Sequence, residues 1–173
     1  MPEEEITLYE SKWLGLYRTG RWHYVRRPNS DACVGVLATT DENEIILIEQ
    51  FRIPVGKNVV EIPAGLVGDE PEFRGENLAA SAARELMEET GYHAAEIRPL
   101  LSSPTSPGMT PETTHLFHAT GLTKQGDGGG IGSENITVHK IALADLRGWL
   151  AEKEKSGVAI DFKIHAALWS AGL

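Results

Sequence analysis

The sequence of 173 residues contains one cysteine, Cys33, which excludes a disulfide framework and any cysteine-rich zinc site. No apolar run approaches the roughly 18 residues that a membrane helix needs. The opening stretch, MPEEEITLYE, is acidic where a secretory leader would be basic, so we expect no signal peptide and a cytoplasmic location. Basic residues are also scarce, with 16 Lys and Arg against 25 Asp and Glu and a formal net charge of −9. Phosphate affinity in nucleic-acid binders rests on clustered cations, so that class is excluded, as is a membrane partner. What remains is an acidic chain long enough for one domain with a substantial core.

The charge is unevenly distributed. Between Ser11 and Ser30 stand Lys12, Arg18, Arg21, Arg26 and Arg27 with no acid, and Trp13, Tyr17, Trp22 and Tyr24 lie among them. Between Glu61 and Glu96 the balance reverses, with nine acids against Arg74 and Arg84. A basic aromatic segment suits an anionic aromatic ligand, and an acidic segment suits cations. Counts alone also allow a charged hairpin and a solvated helix.

The pattern predicts many strands with few helices. Residues 7–27 read as two strands about a Thr19-Gly20 turn. Further strands are expected at 32–40, 44–51, 59–62, 93–101, 113–120 and 136–141. Helices are expected at 76–90, ended by Gly91, at 143–153, and at 162–171 with Asp161 as N-cap. Gly126 to Gly130 reads as a flexible loop. The fold class expected is α+β, a mixed sandwich with an N-terminal antiparallel hairpin outside the main core.

The first helix breaks its own rules near its end, at Arg84-Glu85-Leu86-Met87-Glu88-Glu89-Thr90-Gly91. Residues 85, 88 and 89 share one face at spacings of three and four, where like charges destabilise by about 0.2–0.5 kcal/mol per pair. They also crowd the negative end of the helix dipole, where acids are disfavoured by about 0.3–1 kcal/mol each. Arg84 offsets only part of this. A hard divalent cation is the physical remedy, and an all-oxygen donor set points to Mg²⁺ or Mn²⁺ rather than zinc.

The wider run resembles the Nudix box, G-x5-E-x7-R-E-U-x-E-E-x-G-U, where U is apolar. Glu76 and the stretch Arg84 to Tyr92 fit it, with Tyr92 a permissive last position. The first half departs: ten residues separate Gly65 from Glu76 where the family has five, so a lengthened loop is expected and the assignment of Gly65 is less firm than that of the glutamates. The resemblance implies a Nudix α/β/α sandwich with a mixed sheet, divided as an N-terminal β segment (1–30) and a catalytic domain (31–173). It implies Mg²⁺-dependent hydrolysis of a nucleoside diphosphate linked to another group. Carried over by position, Glu85, Glu88, Glu89 and the Ala64 carbonyl would bind the metal. Arg84 and Glu76 would orient them, with Arg84 and Glu88 counted in the catalytic set.

Outside the box, the chain resembles the ADP-ribose pyrophosphatase branch. The marks are Pro107, sixteen residues after Gly91, and the stretches Ile48 to Gly56 and Glu61 to Leu66. The Trp13 and Trp22 segments resemble the hairpin of the human ADP-sugar pyrophosphatases, in which two tryptophans sandwich adenine across a domain-swapped dimer. The resemblance therefore implies a homodimer with a swapped N-terminal segment. It implies base stacking by Trp13 and Trp22, phosphate or ribose contacts by Arg27 and Arg52, and a sugar pocket lined by Pro107 and Met109. Glu134, in Glu134-Asn135-Ile136-Thr137-Val138, is the implied catalytic base, with Glu112 second; the preceding glycines would give its loop mobility. His115, His118 and His139 are expected to be half-buried strand residues, and Cys33 a core residue. The expected reaction yields AMP and a sugar phosphate from ADP-ribose or a related nucleoside diphosphate sugar. Alternatives are the same chemistry on another nucleotide sugar, dinucleotide or oxidised nucleoside diphosphate, a non-catalytic nucleotide sensor, and an acidic interaction protein.

Overall fold

The computed structural model describes residues 3–30, 32–69, 71–132 and 135–173. At the N-terminus, β1 (Glu5–Glu10), β2 (Gly15–Thr19) and β3 (Trp22–Arg26) form a separate antiparallel sheet. The expected hairpin thus gains a third strand, because the acids of β1 supply partners for the bases and tyrosines of the other two. Arg26 pairs with Glu5 at 2.7 Å, and the Tyr17 and Tyr24 hydroxyls donate to Glu10 and Glu5.

The remaining strands build one mixed sheet: β4 (Ala32–Thr39), β5 (Glu44–Arg52), β6 (Lys57–Glu61), β7 (Ala64–Leu66), β8 (Tyr92–Pro104), β9 (Thr113–Lys124), β10 (Thr137–Ala142) and β11 (Ala159–Ile160). The order is β11-β6-β5-β4-β9-β8, with β10 added to β5 and β7 to β4. The pairs β4–β9 and β11–β6 are parallel and the others antiparallel. Alternation along β4 and β5 sends side chains to two cores. Val34, Val36, Ala38 and Ile46 meet Ala82 and Leu86 of helix α1 (Leu78–Thr90). Leu37, Ile45 and Leu47 meet helices α2 (Leu146–Lys155) and α3 (Phe162–Ala171) on the other face. This is the expected α/β/α sandwich.

Helix α1 starts at Leu78, two residues later than the periodicity predicts, because the Asn77 side chain accepts from the Ala80 N–H at 2.8 Å and caps it. Glu76 therefore lies before the helix. Gly91 closes the other end at φ 72°, in the left-handed region that favours glycine. Leu86 is fully buried, contributing about 1.5–3 kcal/mol. That is of the same order as the combined cost of the like-charged pairs and of acids at the negative end of the dipole, so packing offsets much of the penalty of the glutamates. Helix α2 begins at Leu146 rather than 143, and Asp161 caps α3 as expected by accepting from the Lys163 N–H at 2.8 Å.

Candidate active site

The site forms where β7 runs beside α1. Strand β7 pairs with β4 through Cys33–Leu66, Val34–Gly65 and Gly35–Ala64, while the Ala64 N–H donates to Glu89 Oε2 at 2.8 Å. Glu89 is only 4% exposed, so its carboxylate ties the strand to the helix from a buried position. Gly65 lies flush against Glu85: a methyl group there would sit 2.0 Å from the Glu85 carboxyl carbon. Despite the lengthened loop, Gly65 thus lies close under the Glu85 carboxylate.

Arg84 is the hub of the cluster. Its Nη1 donates to Glu85 Oε1 at 2.8 Å and to Glu88 Oε2 at 3.0 Å, and its Nε lies 3.4 Å from Glu76 Oε2. The Phe73 ring, from the lengthened loop, lies 4.2 Å from the guanidinium. A single cation thus faces three carboxylates in a partly buried setting. Burial pushes the Glu85 carboxyl up to about 7, against the pull of Arg84. Among the described residues no three His, Cys, Asp or Glu side chains form a ready cage for a metal ion. Arg84 binds Glu85 and Glu88, and the Ala64 amide donates to Glu89. The oxygen donors and excess negative charge fit Mg²⁺ nonetheless, since that ion is held by one or two carboxylates together with waters and substrate phosphate.

The predicted substrate residues fall into separate groups. Trp22, Pro107 and Met109 line one cleft of about 460 Å³ with Thr19, Tyr24 and Arg26. The Val25 N–H donates to the Met109 carbonyl at 2.9 Å and docks the small sheet on that loop. Trp13 is not among the residues lining this cleft; it is 57% exposed beneath the Lys12 ammonium. Arg27 pairs with Glu112 at 3.1 Å. Glu134 lies outside the described residues.

Arg52 is bound by Glu61 at 2.7 Å, and Glu61 is 6% exposed. Burial pushes the Glu61 carboxyl up, with the neighbouring Asp161 adding to the rise and Arg52 opposing it. Glu61 was not singled out as a functional residue by the sequence. The available signal was an acid placed between Val60 and Ile62 in a buried strand. Asp161 comes beside it because β11 runs parallel to β6 and the Asp161 N–H donates to the Val60 carbonyl at 2.9 Å.

Cys33 is half-buried rather than deep in the core. Burial pushes its thiol up to about 12, and Glu112, Lys163, Arg27 and Glu85 all act on it electrostatically. Of the histidines, His118 is buried between Thr39 (2.8 Å) and Arg98 (3.1 Å), deeper than expected because its strand is paired on both sides, with β4 and β8. His115 and His139 are half-buried and bind Ser102 and Glu49.

The glycine-rich segment after β9 departs from a free loop. Its N–H groups donate to the end of α1, from Gly129 to the Glu89 carbonyl at 2.8 Å and from Gly130 to the Glu88 carbonyl at 3.1 Å. The last carbonyls of a helix lack partners within it, and this segment supplies them.

The chain is similar to several known proteins over differing lengths. The methanol dehydrogenase activator of Bacillus methanolicus is 35% identical over 150 residues, covering 84% of this chain and 77% of the relative. The ADP-ribose pyrophosphatase of Bacillus subtilis (strain 168) is 46% identical over 92 residues, covering 52% of this chain but only 46% of the relative. A crystal structure described as an ADP compounds hydrolase superposes with a TM-score of 0.77 at 19% identity, covering 99% of this chain and 91% of that one. At that identity the likeness concerns the fold. The NUDIX domain model matches residues 29–156, which take in β4, β7 and all of α1 with its glutamates, and the chain belongs to the NUDIX domain family.

Proposed function

We propose that this protein hydrolyses the pyrophosphate bond of ADP-ribose or a related nucleoside diphosphate sugar, releasing AMP and a sugar phosphate. The observation that carries the reading is the Arg84 guanidinium shared by Glu76, Glu85 and Glu88, with Gly65 flush against Glu85. The name of the Bacillus subtilis relative supports the choice of substrate.

In this reading Glu85, Glu88, Glu89 and the Ala64 carbonyl hold the divalent cation, Mg²⁺ or alternatively Mn²⁺. When bound, such an ion neutralises the pyrophosphate and lowers the pKa of an attacking water. The protein's own part is orientation. Arg84 restrains Glu85 and Glu88, and Glu89 fixes strand β7 through the Ala64 amide. Trp22, Pro107 and Met109 receive the base and sugar, and Trp13 completes the stack when supplied by a second copy. The exposed Ile6, Leu8 and Leu16 of the small sheet, with Leu14 in its β1–β2 connection, support a homodimer built on residues 1–30. Arg27 and Arg52 meet phosphate or ribose oxygens, for which a guanidinium fork is suited. Glu134 acts as the base and Glu112 is the second choice. No helix among the described residues is long and apolar enough to cross a membrane; a cytoplasmic location is part of the same proposal.

The test is a panel of ADP-ribose, other nucleotide sugars, dinucleotides and oxidised nucleoside diphosphates, assayed with Mg²⁺ for phosphate-containing products. ADP-ribose should be cleaved fastest, and Glu85→Gln and Glu89→Gln should each reduce turnover by about 10²-fold or more while keeping the fold. Much faster release of AMP from another dinucleotide would overturn the substrate assignment. Near wild-type rates in both variants would overturn the metal assignment.

A further inference from the structure

The glutamates of α1 stand on its last turns, where a helix frays most readily, yet Mg²⁺ demands near-ideal octahedral geometry at about 2.0–2.1 Å. Something must hold that end still. The Gly129 and Gly130 amides donate to the carbonyls of Glu89 and Glu88 themselves, at 2.8 and 3.1 Å. Gln125 and Gly126 donate to the Gly91 carbonyl at 2.8 and 3.1 Å. The Lys124 ammonium donates to the Thr90 carbonyl at 2.7 Å and to the Asp127 carbonyl at 3.3 Å. Four amides and one ammonium therefore converge on the negative end of the helix that bears the glutamates. They offset the dipole that the carboxylates oppose.

The approach is backbone against backbone and requires glycine on both sides. A Cβ at Gly91 would meet the Gly126 carbonyl oxygen at 2.1 Å, and a Cβ at Gly128 would meet the Thr90 carbonyl carbon at 2.4 Å and the Glu89 carbonyl oxygen at 2.7 Å. Gly128, Gly129 and Gly130 all have positive φ, at 71°, 106° and 84°. Gly91 belongs to the box, but Gly128 belongs to no motif recognised in the chain. We propose that residues 124–130 form a strap that positions Glu88 and Glu89 for metal binding, with Gly128 its specifying residue. The strap acts on the carboxylates through their backbone, so Gly128 is a positioning residue. This rests on the reading that α1 binds a divalent cation.

The test compares Gly128→Ala with Gly157→Ala in the full chain. Gly157 also has positive φ (90°) but open space about it, so alanine there brings backbone strain without a collision. Mg²⁺ is titrated while the thermal midpoint is followed, and kcat and KM for ADP-ribose are measured in parallel. Gly128→Ala should raise the Mg²⁺ concentration at half-effect by about 10-fold or more and lower kcat, with KM little changed. Gly157→Ala should match wild type in its Mg²⁺ requirement. A folded Gly128→Ala with a wild-type Mg²⁺ midpoint overturns the strap. If that variant does not fold, amide exchange on wild type decides: protection of Gly129 and Gly130 that rises with Mg²⁺ supports the strap, and free exchange overturns it. A wild-type protein that shows no Mg²⁺ response refutes the metal reading itself, whereas a responding wild type with an indifferent Gly128→Ala refutes the strap alone.

Discussion

Replacing Gly65 by alanine adds one methyl group at the most crowded point of the site. The new carbon would stand 2.0 Å from Glu85 Cδ and Oε1 and 2.4 Å from Oε2, so the carboxylate must withdraw by roughly 1.4 Å to reach an ordinary contact. Gly65 is not in the left-handed region, so alanine introduces no backbone strain. The reduced freedom of the unfolded chain favours alanine by about 0.4–1 kcal/mol, while overpacking costs about 1–3 kcal/mol. Net destabilisation therefore lies between about 0 and 2.6 kcal/mol. The catalytic effect is larger, because a misplacement of about 1 Å in a reacting assembly costs about 10²-fold. Initial rates with ADP-ribose at saturating Mg²⁺, beside a thermal melt, separate the two effects. We expect kcat to fall about 10²-fold while the protein stays folded. A variant within about threefold of wild type would show that Glu85 tolerates displacement, and the argument from Gly65 would fail.

Two further outcomes follow from groups beside the box. Arg52→Ala leaves the buried Glu61 carboxylate without its partner and should destabilise by about 1–2 kcal/mol at pH 8; the figure is modest because the Arg52 side chain is 39% exposed and water reaches it. Burial raises the Glu61 carboxyl above its unfolded value, so the native state holds that proton more tightly and stability is lost as pH rises through the folded value. The loss in Arg52→Ala should accordingly shrink toward pH 5, and an equal loss at both pH values would count against it. With its thiol pushed up to about 12, Cys33 carries roughly a thousandfold less thiolate at pH 8 than an ordinary cysteine. Mass spectrometry should find it labelled far more slowly by iodoacetamide in native protein than once denatured; rapid native labelling would contradict the suppressed thiolate.

The box glutamates were legible because their spacing is local: residues 85, 88 and 89 share a face in any helix, and Gly91 marks where that helix stops. Apolar, β-branched runs likewise marked β4 and β5, whose side chains divide between two buried faces. Helix α1 was less legible at its start, where a side-chain cap from Asn77 decided between Glu76 and Leu78. Strands β7 and β11 were missed, for a three-residue or two-residue strand has no periodicity of its own and exists only through its neighbour. Glu61 was passed over for a related reason. Its burial and its Arg52 partner come from pairing across β5 and β6.

The sequence by itself therefore determined the spacing of the glutamates on α1, the class of cation that such a donor set suits and the basic aromatic segment at residues 11–30. These rest on interactions between residues a few positions apart. Only the tertiary structure decided that Gly65 still lies against Glu85 despite the longer loop, and that Phe73 from that loop stacks on Arg84. It also decided that the run of glycines expected to be flexible is bonded to the end of α1. Each of these is a contact between distant segments, created when helix ends and buried carboxylates must find partners that their own neighbourhood cannot supply.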